Sequence, residues 1–175
     1  DREIADLDGD GDQDLIAGNL GANTRFKASP EKPVSMYIND FDQNGKIEHI
    51  ITTFRGDHAY PLAMKKDITR QMPYLLKKYL KHVDYKEQTV EDIFGQEQIS
   101  RSIKLDVFET STLVFWNDNG RFEAQALPLE AQLSTVYAIL VEDLDQDGIP
   151  EILLGGNLFR AKPEVGIYGG MHGLM

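Results

Sequence analysis

Three nine-residue windows carry most of the chain's unusual chemistry: Asp6–Asp14 (DLDGDGDQD), Asp40–Glu48 (DFDQNGKIE) and Asp143–Glu151 (DLDQDGIPE). They share one pattern, with Asp at position 1, Asp at 3, Asp or Asn at 5, Gly at 6 and Asp or Glu at 9. Carboxylates this dense repel one another unless a cation neutralises them. Hard oxygen ligands at alternating positions suit calcium, because alternation lets a turning backbone aim positions 1, 3 and 5 at one centre. Gly at position 6 permits the sharp turn, since it tolerates positive φ. Position 7 needs only its backbone carbonyl, so its side chain is free to vary, and position 9 supplies a carboxylate able to bind through both oxygens. The candidate ligands are therefore Asp6, Asp8, Asp10, Asp12 and Asp14; Asp40, Asp42, Asn44, Lys46 and Glu48; and Asp143, Asp145, Asp147, Ile149 and Glu151. Asp6–Asp14 has the fullest carboxylate set, while Asn44 and Lys46 weaken the middle window. Two to three bound calcium ions are expected.

The windows also account for the charge of the chain. Of 175 residues, 29 are acidic and 18 basic, a net charge of −11. The windows hold twelve of the acidic residues and one basic residue, Lys46, so the remainder is balanced at 17 of each. The acidity is local and repeated. It argues against nucleic acid or an anionic membrane surface as partner and is compatible with a cation. No cysteine is present, which removes disulfides, thiolate metal sites and cysteine nucleophiles. No charge-free run approaches the roughly 20 residues of a membrane-spanning helix. The chain opens on Asp1 without a signal-peptide pattern, and it reads as an internal fragment of a longer protein.

An EF-hand would require a Glu at position 12 and a long helix on either side. Position 12 is Ala17, Ile51 and Leu154, and the loops run into Leu15–Gly18, Ile50–Phe54 and Ile152–Gly155, short apolar runs that read as buried strands. Val34–Ile38 and Val136–Val141 precede two of the loops in the same manner. Each window is thus a strand–loop–strand unit. Ala63–Lys104 differs from its surroundings: Asp67 caps a helical pattern carrying Ile68, Met72, Leu75 or Leu76, Tyr79 and Val83, interrupted at Pro73. Thr89 and Asp92 form a capping box, Gly95 closes that helix, and a last helical turn covers Glu97–Ser102. Leu113–Trp116 and Phe122–Ala126 flank Asn119-Gly120, a hairpin signal. Four antiparallel strands make a propeller blade. On that reading residues 34–127 form one blade with a helical insertion (63–104), residues 136–175 open the next, and residues 1–30 finish part of the previous one.

Asp6–Asp14 with Leu15-Ile16-Ala17-Gly18-Asn19, and Asp143–Glu151 with Ile152-Leu153-Leu154-Gly155-Gly156-Asn157, resemble the FG-GAP or VCBS repeats of integrin-type β-propellers. Tyr60–Pro73 with Glu91-Asp92-Ile93-Phe94 is similar to the helical insert of large VCBS-repeat proteins of Bacteroidetes, some of which carry an ASPIC/UnbV-type region. The Phe-Gly and Gly-Ala-Pro hallmark is not present in that form, so the resemblance rests on the loops. It implies a mainly β fold, a partial β-propeller of about two to three four-stranded antiparallel blades. It also implies calcium between the first and second strands of a blade, an extracytoplasmic location, and the remaining blades of the parent chain as partners. The expected role is non-enzymatic: adhesion, ligand recognition or scaffolding toward a protein or glycan. The alternative is an accessory propeller of a carbohydrate-active enzyme such as a polysaccharide lyase, with Phe115, Trp116 and Tyr137 as sugar-stacking candidates. No nucleophile elbow, P-loop, dinucleotide fingerprint or zinc-protease motif occurs. The four histidines are scattered. His58 follows Arg55-Gly56-Asp57, a tripeptide that matches an integrin-recognition sequence.

Overall fold

The computed structural model describes residues 1–161 and 166–175. In chain order its strands and helices are β1 (Arg2–Ala5), β2 (Asp14–Ala17), β3 (Val34–Asn39), β4 (Glu48–Arg55), β5 (His58–Pro61), α1 (Lys65–Gln71), α2 (Leu75–Lys78), α3 (Val90–Phe94), α4 (Gln96–Arg101), β6 (Ile103–Val107), β7 (Leu113–Asp118), β8 (Arg121–Ala126), β9 (Ala138–Glu142) and β10 (Glu151–Gly155). The fold is mainly β. Each acidic window is the connection of one antiparallel pair: β1 with β2, β3 with β4, and β9 with β10. Among the described residues, no sheet closes on itself. Of the stretch expected to open a further blade (136–175), residues 162–165 lie outside the described residues.

Two compact units share the chain. The first comprises Asp1–Arg25 and Thr110–Met175. It holds the antiparallel sheet β1-β2-β7-β8 and the pair β9–β10. Ile16, Val114, Ala131, Val136, Ile139, Leu154 and Met171 form its core. Two glycines allow close backbone approach there: a Cβ on Gly21, which also sits at φ +87°, would meet the Gln132 carbonyl oxygen at 2.6 Å, and one on Gly156 would meet the Thr135 carbonyl oxygen.

The second unit, Phe26–Glu109, is continuous in sequence and lies between strands β2 and β7. Its sheet runs β5-β4-β3-β6. Alternation along the strands sends Tyr37 and Ile50 to one face, where Ile68, Met72, Leu75, Tyr79, Val90 and Ile93 from the helical segment cover them. The helices fall between Lys65 and Arg101. As expected from Pro73, the first helical stretch is split into α1 and α2. Asp67 lies in the first turn of α1, whose N-cap is Met64, and Val83 is 60% exposed beyond the end of α2.

One expectation is corrected. Residues 34–127 do not make one blade. β7 and β8 leave that sheet and complete the one begun by β1 and β2, in the register Leu15↔Phe115, Ile16↔Val114, Ala17↔Leu113. The edge of β4 that they would have used is taken by β5, through Thr53↔Tyr60 and Arg55↔His58, and β6 fills the far edge of β3, through Met36↔Leu105 and Ile38↔Ile103. Joining β2 instead buries Ile16 and Val114 almost completely. The insertion between the second and third strands of this sheet is therefore not the helices alone but the entire 26–109 unit.

The capping box of α3 is formed as read. The Asp92 backbone N–H donates to Thr89 Oγ1 (3.2 Å), and the Thr89 N–H donates to Asp92 Oδ2 (2.9 Å). Hydrogen bonds to the carboxylate, from the Thr89 backbone N–H first and from the Thr89 hydroxyl (2.8 Å) second, hold the Asp92 carboxyl below the usual carboxylate range. A depressed folded value gives stability that is present above the ordinary carboxylate value and is lost as pH falls through the folded one. Thr89→Ala is expected to cost about 1 kcal/mol at neutral pH. That penalty shrinks in acid, once Asp92 is protonated. Thermal melts of both proteins at neutral pH and at a pH below the carboxylate range check this, and an equal gap at both pH values would refute it.

Candidate metal centres

The backbone of each loop is set before its ligands converge. In all three, the residues at positions 4 and 6 have left-handed φ: Gly9 (79°) and Gly11 (94°), Gln43 (58°) and Gly45 (85°), Gln146 (65°) and Gly148 (89°). Glycine takes this conformation freely, whereas glutamine is strained in it. Gln43 and Gln146 hold it because the same net of bonds surrounds them. The position 1 carboxylate accepts the N–H of the position 6 glycine each time: Gly11 to Asp6 (3.1 Å), Gly45 to Asp40 (2.8 Å), Gly148 to Asp143 (3.0 Å). The position 5 side chain accepts the N–H of position 7, in Asp12 to Asp10, Lys46 to Asn44 and Ile149 to Asp147, all at 2.8 Å. The position 9 carboxylate accepts the N–H of position 2: Leu7 to Asp14 (3.0 Å), Phe41 to Glu48 (3.0 Å), Leu144 to Glu151 (2.8 Å).

This scaffold brings together three triads of carboxylates: Asp6, Asp8 and Asp10; Asp40, Asp42 and Glu48; Asp143, Asp145 and Glu151. Within each, one ligand oxygen per residue lies within 4.8 Å of the others. Oxygens on opposite sides of a calcium ion, at about 2.3–2.6 Å each, stand about 5 Å apart, so the spacing fits. Like charges at that distance repel by about 3–4 kcal/mol at an effective dielectric constant near 20, which is the force a cation would relieve.

The other expected ligands are placed differently. Asp14 is nearly fully buried and belongs to no triad; its second oxygen accepts the Asn117 N–H at 2.8 Å. The Asp12 carboxylate turns to the β7–β8 turn and accepts the Asn119 N–H at 2.6 Å. The Asn117 side chain returns a bond to the Gln13 carbonyl at 3.1 Å. Loop 6–14 is thus laced to a hairpin more than a hundred residues away. Asn117 and Asn119, read only as a turn signal, are structural partners of the loop, and nothing in their local sequence marks them so. Asp147 stands outside its triad. Asn44 contributes its amide oxygen to the turn, and the exposed Lys46 and the Ile149 side chain add nothing to the carboxylate clusters.

The middle loop, weakest by composition, has the most enclosed triad. Glu48 is 6% exposed, and Phe41 at position 2 is buried and stacked on Phe94 with ring centroids 4.2 Å apart. Asn39, just before the loop, donates to the Gln98 carbonyl and side-chain oxygens, both at 3.1 Å. Asp42 Oδ1 is buried without any hydrogen-bond partner. The Tyr74 phenol is pushed up, first by burial and then by the negative charge of Asp42 and Glu48.

The remaining candidates gather no site. In Arg55-Gly56-Asp57 the guanidinium lies over the Tyr60 ring (4.3 Å) and donates to the Lys86 carbonyl (3.0 Å), while Asp57 pairs with Lys32 (3.0 Å). That hydrogen bond from Lys32 holds the Asp57 carboxyl below its usual range. Both charged groups of the tripeptide are folded back on their own unit. Trp116 packs on the core of the first unit and donates to Gln125 (2.8 Å), while Tyr137 is exposed. A cavity of about 370 Å³ in the first unit is lined mainly by aliphatic groups, among them Leu127, Ala131, Ile152 and Leu154, and includes none of the three sugar-stacking candidates.

No family model, no curated protein and no solved structure matches this chain.

Proposed function

We propose that the chain is a non-enzymatic calcium-binding module of β-propeller type, from an exported or cell-surface protein, in which the ions fix the inter-strand loops that a binding partner reads. The observation that carries this reading is Asp42 Oδ1, a carboxylate oxygen buried beside two further carboxylates and bonded to nothing. A buried acceptor of this kind is costly unless something binds it, and the available position suits a hard cation. The recurrence of one hydrogen-bond scheme in three loops of different sequence supports the same ligand for all three. Two antiparallel four-stranded sheets are the raw material of blades. Loops of this charge would bind calcium on the order of 10⁻⁴–10⁻³ M, as extracellular modules do. Such sites fill where calcium is abundant, which favours an extracytoplasmic setting. Among the described residues, no helix is long and apolar enough to cross a membrane.

Calorimetric titration of metal-stripped protein tests the proposal. Two to three calcium ions are expected to bind, and Asp8→Asn, Asp42→Asn and Asp145→Asn should each weaken or remove one of them. Absence of binding at millimolar calcium would reduce the loops to bare turns and defeat the proposal.

A further inference from the structure

The outer edge of β6 is uncovered. All five of its residues are exposed, with Ile103, Leu105 and Val107 at 63%, 50% and 47%. They lie across from Ile38, Met36 and Val34 of β3, on the face opposite to the one the helices cover. Lys104 and Asp106 alternate with them, on the helix-covered face beside Tyr37 and Ser35. β6 therefore presents an unpaired row of backbone groups, an apolar face and two opposite charges. It has no proline, bulge or repeated charge, the devices that usually protect a sheet edge.

We propose that β6 is a self-association edge, at which two copies of the chain join their sheets by antiparallel pairing about a two-fold axis through Leu105. The charge order selects this occupant and this register. Centring on Leu105 sets it against its own copy, Ile103 against the partner's Val107, and Lys104 against the partner's Asp106. Each lysine then lies between its own Asp106, at 3.1 Å within the chain, and that of the second copy, so the four charges alternate. Opposite charges directly across an antiparallel pair stabilise it, as do paired β-branched and aliphatic side chains. A two-fold interface must be self-complementary, and this sequence is so over its full length.

The other described edges lack this property. Paired on itself over its full length, β8 sets Arg121 against Ala126 and Glu123 against Ala124, β1 sets Arg2 against Ala5 and Glu3 against Ile4, and β9 sets Glu142 against Ala138, so no opposite charges meet; β5 ends in Pro61, and β10 is already bridged at Leu154 by Leu174. The apolar face gains continuity as well, since each Ile103 and Val107 extends the strip formed with Ile38 and Met36. A five-residue edge is a small interface, at the low end of specific contacts, so the dimer is weak and concentration-dependent. This inference is independent of metal binding.

Sedimentation of the whole chain from about 1 µM to about 1 mM, the span of transient affinities, reads the association directly. Wild type is expected to shift from monomer to dimer within that range. Leu105→Lys places like charges on the axis and should weaken the dimer by about tenfold or more. Lys104→Asp makes an all-acidic edge and Asp106→Lys an all-basic one. Each alone should be monomeric, and an equimolar mixture should form the heterodimer, in which every Asp again faces a Lys. Asp106 also accepts a hydrogen bond from Ser35, so melting curves establish that each variant is folded. If Asp106→Lys is not, Leu105→Lys and Lys104→Asp, which leave that bond intact, decide the question. A wild type that stays monomeric to the top concentration overturns the proposal. So does a dimer indifferent to Leu105→Lys and Lys104→Asp, which would place the contact on another face.

Discussion

Asp14→Ala is expected to destabilise the first unit by about 2–5 kcal/mol, and by the same amount with calcium or with EDTA. Asp14 sits at position 9 of its loop, the place where Glu48 and Glu151 join their triads, yet it joins none. Its two oxygens are instead committed to backbone N–H groups far apart in the chain, Leu7 at 3.0 Å and Asn117 at 2.8 Å. At 1% exposure no water replaces them. Alanine leaves two donors without acceptors, each costing about 1–3 kcal/mol. Those donors belong to the loop after β1 and to strand β7, so the loss acts on the seam that closes the sheet across the insertion. Asparagine recovers only part of the loss, because its amide presents a donor to one of the two N–H groups. Urea unfolding followed by the fluorescence of Trp116, the one tryptophan in the sequence and a residue of β7, reports on this unit. A change below about 0.5 kcal/mol, the size of an ordinary surface substitution, would show that Asp14 is not the brace it is described to be. A loss seen only in calcium would assign it to the metal.

What the sequence discloses, and what it hides, follows from the range of the interactions involved. The loops are legible because their chemistry is local: positions 1, 2, 5, 6, 7 and 9 bond among themselves, so residue type and spacing carry the information. The flanking strands and the Thr89–Asp92 box are legible for the same reason. Strand pairing is not. Leu113–Trp116 reads as a strand, but alternation does not say whether its partner is β4 or β2, and the answer depends on β5 taking the free edge of β4 while β6 takes that of β3. β6 itself escapes notice because Ile103-Lys104-Leu105-Asp106-Val107 follows directly on a helical segment and no core position marks it. The ranking of the loops fails in an instructive way. Asn44 and Lys46 lower the charge of the middle window, and composition places it last. Burial places it first, because position 2 is Phe41, anchored on Phe94 at 4% exposure, where the third loop has Leu144 at 48%. A side chain that binds no metal decides how deeply the ligands sit.

That depth leads to an effect of opposite sign in the two states of the second unit. In EDTA, Asp42→Asn is expected to leave the unit as stable as wild type or more so. It removes one of three close negative charges, and with it a buried charged oxygen that nothing satisfies. In millimolar calcium the order reverses. At 100 times its dissociation constant, which for a constant on the order of 10⁻⁴ M is about 10 mM calcium, the ion contributes about 2.7 kcal/mol per site, worth roughly 10–20 °C in the melting point of a unit this small. Asp42→Asn forfeits most of that gain. The benefit should reach beyond the loop, because Phe41 and Asn39 tie it to Phe94 and Gln98 of the helical segment. Exchange protection of the Met72 and Tyr79 amides, which donate to Ile68 and Leu75 within the helical core, is therefore expected to rise with calcium in wild type and not in the variant. Residues kept for a ligand are commonly stability liabilities without it, and the crossover separates that case from a purely structural carboxylate. Were Asp42 structural, Asp42→Asn would destabilise in EDTA as much as in calcium, and the helical amides would not respond to the ion.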